Sequence, residues 1–338
     1  MSEPNLIPPL PQTIDPLAPG QHGRYDDYLV SVLRTEPPCG RAVAPLGPVG
    51  PVGPVVRTAH FCLTERGGRI EVTHWLYPDQ LDNDLAGMLA DELFAPGWLS
   101  GVETFERVFT GVVRSCIDDP LLAWCTFYGN TLARVRQCWR TPAAPDDHEH
   151  TTIGELAPVY AHALQLIQAG QVLDIGSCFG FLPLLLAERP ATTVTASDLS
   201  SGAMRLLTAV AAARGLQVST LVCDAARIPV PDGWAETVSV IHLLEHVSPD
   251  HGVAVIREAL RVARRLVVVA VPFEDEPTAS YGHVRVYDLR RLGELGERAG
   301  HRYSLHEHHG GWLVLSAGLG SGMCAHVDVR STPVLVAL

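Results

Sequence analysis

The 338-residue chain has no lysine: all 25 basic residues are arginine, set against 37 acidic ones for a formal net charge of −12. Schiff-base chemistry and a lysine base are therefore excluded. So is a P-loop, which requires Gly-Lys-Ser/Thr. A chain this acidic also lacks the broad positive face that neutralises several phosphates at once, so nucleic acid is not an expected partner. Long apolar runs are missing as well. The longest, Leu266 to Val271, falls far short of the roughly 20 residues that span a bilayer. The eight cysteines (39, 62, 116, 125, 138, 178, 223 and 324) form neither a CxxC pair nor a ladder of short spacings, which excludes a zinc ribbon and a disulfide framework. The opening MSEPNLIPPLPQTIDPLAPG has no basic start and no apolar stretch of the kind a secretory leader carries. The expectation is a reduced, cytoplasmic protein with structural thiols.

With 47% hydrophobic and 18% charged residues, the chain has enough apolar material for one large domain or two smaller ones. Residues 1–20, rich in proline and polar residues, read as a mobile arm. A short helix is expected over Tyr25 to Arg34. The Gly-Pro-Val triplets from Gly47 to Val55 are too few for a triple helix and read as a stiff connector. HFCLTE and IEVTHW, flanking Arg66-Gly67-Gly68-Arg69, predict a β-hairpin. Residues 81–113 look helical, broken at Ala95-Pro96-Gly97. A further helix is expected from Pro120 to about Trp139, capped by Asp119. The polar, proline-rich Thr141 to His148 marks a boundary, giving an accessory α+β domain over residues 21–148.

Residues 149–316 have a different rhythm, and 317–338 read as an extension. Short β-branched runs (Val172 to Ile175, Thr193 to Ala196, Val218 to Val222, Thr237 to Ile241, Leu266 to Val271) alternate with Ala/Leu/Arg segments of helical length. Strands without polar alternation, separated by helices, predict an α/β fold with a parallel sheet covered on both faces. Its site belongs on the loops that follow the strands, near the reversal of strand order.

Four of those loops carry candidate residues. The first reads Asp174-Ile175-Gly176-Ser177-Cys178-Phe179-Gly180; a dinucleotide fingerprint would need glycine at 178 and 181, where Cys178 and Phe181 stand. The turn therefore suits a nucleoside-like ligand without a pyrophosphate, or else it is only a tight turn. The second loop ends in Asp198-Leu199-Ser200, where the carboxylate either accepts from ribose hydroxyls or caps a helix starting near Ser200. The third is Cys223-Asp224-Ala225, with the same two alternatives for an adenine amino group. The fourth is His242-Leu243-Leu244-Glu245-His246-Val247.

In their order and spacing, VLDIGSCFG, ASD, CDA and LLEHV resemble the class I S-adenosylmethionine-dependent methyltransferases. The resemblance implies a Rossmann-like seven-stranded sheet, mostly parallel, closed by an antiparallel hairpin at RYSLHEHHGGWLVL. It implies S-adenosylmethionine as cofactor, released as S-adenosylhomocysteine. Asp174 would face the methionine amino group; Gly176, Ser177 and Gly180 would give backbone contacts; Asp198 and Leu199 would meet the ribose, Asp224 and Ala225 the adenine, with His242 completing the set. The family usually has glycine at position 178, so a slightly altered loop is expected there.

Methyl transfer to a hydroxyl needs a group to take the proton. His246, in a segment where sugar and small-molecule O-methyltransferases of this family often place a working histidine, is the first candidate, a loop-closing histidine being the alternative. Glu274, Asp275 and Glu276 follow the fifth strand, and one of them would orient His246 or bind sugar hydroxyls. His283, in Tyr281-Gly282-His283-Val284-Arg285 before a helix starting near Asp288, is a second base candidate. Glu274, Asp275, Glu276 and His283 are the residues a metal site would draw on, but acidic loop clusters are usually solvated, and no metal is assigned. His306, His308 and His309 read as a solvated hairpin. The absence of an Asn/Asp-Pro-Pro-aromatic motif after the fourth strand speaks against base methylation. In whole-chain character, and in its GHVR segment, the sequence resembles the mycofactocin oligosaccharide methyltransferases of actinobacteria, which implies O-methylation of a glucose. A quinone or polyketide hydroxyl would use the same cofactor residues, and a non-catalytic binding or scaffold role is the alternative from another class. The expected partners are thus a small-molecule or oligosaccharide substrate, with no nucleic acid and no membrane insertion.

Overall fold

The computed structural model describes residues 14–36, 55–141 and 151–317. Most of the Gly-Pro-Val segment, residues 1–13 of the arm, the stretch 142–148 and residues 318–338 lie outside the described residues.

The first region is a five-stranded sheet under helices. Strands β1 (Arg24–Asp26), β2 (Val30–Arg34), β3 (Val56–Arg57), β4 (Phe61–Arg66) and β5 (Arg69–His74) lie in the order β1-β2-β5-β4-β3, with only β2 and β5 parallel. The hairpin expected at Arg66 to Arg69 is β4-β5. The helix expected over Tyr25 to Arg34 is instead the β1-β2 pair. Asp27 decides this: its Oδ1 accepts from the N–H groups of Leu29 and Val30, both at 2.8 Å, closing a tight turn before a helix can nucleate. Buried Val30 and Val32 then favour the strand.

Helix α1 (Asp84–Leu89) runs into a π-turn at Ala90–Phe94; α2 (Val102–Cys116) and α3 (Pro120–Arg140) follow, and Asp119 caps α3 by accepting from Leu122 N–H at 2.7 Å. The end of the arm is not mobile: the Pro16 carbonyl accepts from Arg114 Nη1 at 3.0 Å and Trp124 Nε1 at 2.9 Å. Both donors are buried side chains, and buried donors need partners, so the chain is drawn across α2 and α3.

His74, fully buried at the end of β5, is hydrogen-bonded to Ser115 Oγ and receives Leu76 N–H on Nδ1. Burial holds its imidazole neutral, pushed down to about 3. The unfolded chain binds this proton below the ordinary value of 6.5 and the folded chain does not. Stability from this group is therefore complete above 6.5 and is lost as pH falls toward 3. The stability gap between the wild type and a non-titrating His74→Gln variant should change by about 2 kcal/mol between pH 7 and pH 5, at roughly 1.4 kcal/mol per pH unit. Denaturant midpoints at the two pH values would show it, and a pH-independent gap would refute it.

From α4 (Thr152–Leu166) onward the chain alternates: β6 (Gly170–Ile175), α5 (Phe181–Ala187), β7 (Thr192–Asp198), α6 (Ser201–Ala213), β8 (Val218–Val222), β9 (Ala235–Ile241), α7 (Pro249–Val262), β10 (Ala263–Val271), α8 (Leu289–Ala299), β11 (Tyr303–Glu307) and β12 (Gly311–Ser316). The seven strands lie in the order β11-β12-β10-β9-β6-β7-β8, parallel except for the pairs made by β12. This is the Rossmann-like sheet expected from the sequence. Its order reverses between β6 and β9, where loops diverge and leave a crevice at the strand ends.

The sequence boundary is not a boundary in packing. Phe127 and Tyr128 of α3 pack on Phe179 and Phe181, and one apolar cluster runs from Val30 and Phe61 to Met204 and Leu207. Among the described residues, no helix is long and apolar enough to cross a membrane.

Candidate functional site

The loop after β6 is shaped by its glycines. Gly176 and Gly180 hold φ of 71° and 74°; a Cβ at Gly176 would lie 2.8 Å from Leu243, and one at Gly180 would lie 2.5 Å from Leu207. The N–H groups of Gly176 and Ser177 both donate to the Ser197 carbonyl, which ties the loop to the end of β7. Cys178 sits at φ 49°, the left-handed conformation a glycine adopts freely, at a cost on the order of 1–2 kcal/mol for an L-residue. Its N–H donates to Asp198 Oδ2 at 2.9 Å. The loop therefore takes a glycine-like path at position 178 in spite of the side chain.

The strand ends bring the remaining sequence candidates to one edge of the sheet. Asp198 spans two loops, since its Oδ1 also accepts from Ser200 N–H at 2.8 Å, while Ser200 rather than Asp198 caps α6. Beside it Leu199 is 77% exposed, an apolar side chain held out toward the crevice rim. Asp174 is 4% exposed and takes Ser239 Oγ at 2.6 Å, bracing β6 against β9 at the reversal; burial pushes its carboxyl up to about 6. Asp224 Oδ1 closes a turn onto Ala226 N–H and lies 3.1 Å from His251 Nε2 on α7, a partner the sequence reading missed. Carboxylates at two adjacent strand ends, Asp198 half-buried and Asp224 exposed, beside glycine-shaped backbone and an exposed leucine, fit a nucleoside whose sugar and base present hydroxyl and amino donors.

The loops after β9 and β10 meet in a cluster of histidines and glutamates. His242 leaves β9 at φ 53°, pinned by its N–H to the Ala270 carbonyl. A bulky residue in this region is strained, and such strain concentrates at functional sites. A 3₁₀ turn over Leu244–His246 then places Glu245 inward and His246 toward the β10 loop. There Glu274 Oε2 meets His283 Nδ1 at 2.7 Å, with Thr278 Oγ1 donating to the other carboxylate oxygen at 2.6 Å. The His246 and His283 rings stand edge to face, with centroids 4.7 Å apart. Of the three acids after β10, Glu274 contacts His283 rather than His246, and Asp275 and Glu276 are exposed outside the cluster.

Sequence reasoning also missed Glu245. It is 1% exposed, and neither carboxylate oxygen has a hydrogen-bond partner; the nearest titratable nitrogen is His242 Nδ1 at 4.0 Å. Burial pushes its carboxyl up to about 8. Burial and the neighbouring imidazoles hold His242 down, to about 4, and His246 is lowered for the same reasons. The available signal was LLEHV itself: an acid between a buried leucine and a histidine, directly after a buried strand.

The accessory region roofs this edge. On α2, Phe105 stacks edge to face on Tyr281 at 6.0 Å, Val102 abuts Gly282, and burial with nearby Asp198 raises the Glu106 carboxyl. From α3, Tyr128 Oη donates to the Phe179 carbonyl at 2.7 Å, anchoring the β6 loop.

Residues 172–265 match the family model described as a methyltransferase domain. That match places a methyltransferase domain over this part of the chain, on a sheet whose strand order is the one expected from the resemblance to S-adenosylmethionine-dependent methyltransferases. A demethylmenaquinone methyltransferase of Thermus thermophilus is 32% identical over 129 residues, 37% of this chain and 58% of the relative. A ubiquinone/menaquinone biosynthesis C-methyltransferase of Paraburkholderia phymatum is 30% identical over 131 residues, 38% of this chain and 53% of the relative. The chain thus spans little more than half the length of these curated relatives. Among solved structures, a SAM-dependent methyltransferase from Aquifex aeolicus is 19% identical with a TM-score of 0.41, covering 55% of this chain and 96% of that one.

Proposed function

We propose that the protein transfers the methyl group of S-adenosylmethionine to a hydroxyl of a sugar-bearing small molecule. The observation that carries the hydroxyl acceptor is the Glu274–His283–His246 arrangement at the ends of β9 and β10, beside the glycine-shaped loop. Bound S-adenosylmethionine supplies a methyl group on a positively charged sulfur, which needs no further activation by the protein. The residues must hold that cofactor, exclude water and relieve an alcohol of its proton. Asp198 and Leu199 would hold the ribose, Asp224 and Ala225 the base, and the backbone of Gly176, Ser177 and Gly180 the amino-acid end. Glu274 fixes the tautomer and direction of His283, leaving Nε2 to face the acceptor, with His246 as its neighbour. Val102, Phe105 and Glu106 of α2, over the 281–285 segment, would select the acceptor. The glycan assignment rests on the resemblance of the whole chain and its GHVR segment to the mycofactocin oligosaccharide methyltransferases.

The names of the curated relatives favour a second reading, a quinone-type acceptor, which would leave every cofactor residue in place. The non-catalytic reading drew on Cys178, and the left-handed backbone there, with its N–H on Asp198, removes that support.

Calorimetric titration with S-adenosylmethionine and S-adenosylhomocysteine, with NAD as control, tests the cofactor. Micromolar binding of the first two alone is expected, and a methyl-transfer screen of glucosides against quinols then separates the acceptors. Absence of binding to all three would overturn the proposal.

A further inference from the structure

We propose that Glu245, His246 and His283 form a binding site for a divalent first-row transition ion. Among the described residues this is the one group of three or more His, Cys, Asp or Glu whose candidate ligand atoms all lie within 4.8 Å of one another. The set differs from the residues the sequence offered for a metal, since Asp275 and Glu276 point away into solvent and Glu245 takes their place.

Glu245 is the decisive member. A carboxylate that is 99% buried with both oxygens lacking a hydrogen-bond donor is costly, and native proteins satisfy such groups or neutralise them. The turn that holds it is well anchored: Val284 N–H donates to the Glu245 carbonyl at 2.9 Å, locking the β9 and β10 loops together behind the cluster. A cation among its oxygens and the two imidazoles meets the need directly. The outer contacts are those of a metal-binding histidine. Glu274 accepts from Nδ1 of His283 and directs Nε2 inward, while Thr278 steadies Glu274 in turn. His242 Nε2, also buried without a hydrogen-bond partner, closes the inner wall.

The donor types select the ion. Two imidazoles and one carboxylate suit Zn²⁺, Co²⁺, Ni²⁺ or Fe²⁺, whereas Mg²⁺ and Ca²⁺ take oxygen-rich sets. Bonds of about 2.0–2.2 Å need ligand atoms roughly 3.5 Å apart, so ion binding would draw these atoms closer than the 4.8 Å within which they lie. Three protein ligands leave coordination open toward the crevice, as in catalytic rather than structural sites. The site stands whether or not methyl transfer is the reaction. If it is, the ion-free protein has His283 and His246 in the proton-handling role given above, and a bound ion would occupy those nitrogens and supply Lewis acidity in their place.

The test uses the untagged full chain, stripped with chelator and dialysed, titrated with Zn²⁺ and separately with Mg²⁺ in the absence of cofactor and acceptor. One equivalent of Zn²⁺ per chain is expected, with Mg²⁺ at least ~100-fold weaker. Glu245→Gln and His283→Ala should each weaken Zn²⁺ by 10-fold or more, at the lower end of the effect expected for the ligand shell, with the circular dichroism spectrum unchanged. Co²⁺ should give visible absorption bands that both variants lose. The half-buried trio His162, His306 and His308, with the Nε2 atoms of His162 and His306 2.7 Å apart, is the competing zinc binder. Zinc binding that survives Glu245→Gln and His283→Ala but falls in His162→Ala overturns the proposal, as does no zinc binding at all. Failure of S-adenosylhomocysteine to bind while zinc binds would sink the methyl-transfer reading and leave this site standing.

Discussion

Replacing Asp198 with alanine is expected to weaken S-adenosylhomocysteine binding by ~10²–10⁴-fold, because two hydrogen bonds to a charged acceptor are lost at roughly 1.5–3 kcal/mol each. The same carboxylate also takes the N–H groups of Cys178 and Ser200, so its removal releases the β6 loop from the β7 end as well as the ribose. Asp198→Asn keeps one acceptor oxygen and should fall between. Calorimetry measures the affinity, and thermal unfolding with and without ligand separates it from loss of fold. If the alanine variant bound within about threefold of the wild type, Asp198 would be a loop tie and nothing more.

His283→Ala is expected to slow methyl transfer by ~10²–10⁴-fold, the usual cost of losing the group that handles a proton, while S-adenosylhomocysteine affinity stays unchanged. His246→Ala should act in the same direction, since the two rings are in contact. Glu274 acts through His283: Glu274→Gln can keep the contact to Nδ1 but not the charge, so kcat should fall about tenfold, the low side of such effects, with KM unaltered. A merely structural glutamate would instead lower thermal stability and leave kcat alone. Unchanged turnover in His283→Ala would take the residue out of the mechanism.

Much of this site was legible because the chemistry lies in short segments. Asp174, Gly176, Ser177 and Gly180, Asp198 and Leu199, and Asp224 and Ala225 each sit within a few residues of the end of a β-branched run, and period and turn chemistry reveal such ends. The misreadings have physical causes. The β1-β2 pair was taken for a helix because two backbone N–H groups donating to the Asp27 side chain, rather than periodicity, decide that turn. The arm was taken as wholly mobile because its anchor donors, Arg114 and Trp124, lie about a hundred residues further on. Which of the three acids after β10 would meet a histidine, and which histidine, stayed open because His246 and His283 lie on loops that only folding brings face to face.

By itself, the sequence determined the parallel α/β core, its closing hairpin, the loops that follow its strands and the exclusion of every lysine-dependent mechanism, since all of these depend on local pattern or on composition. The tertiary structure decided which side chains meet. It set Glu245, unpartnered, beside His246 and His283, fused the accessory helices to the β6 loop through Tyr128 and Phe179, and laid α2 over the crevice. Those contacts join segments that are far apart in the chain, and the free energy that selects them comes from burial and hydrogen-bond satisfaction in three dimensions, which no local window contains.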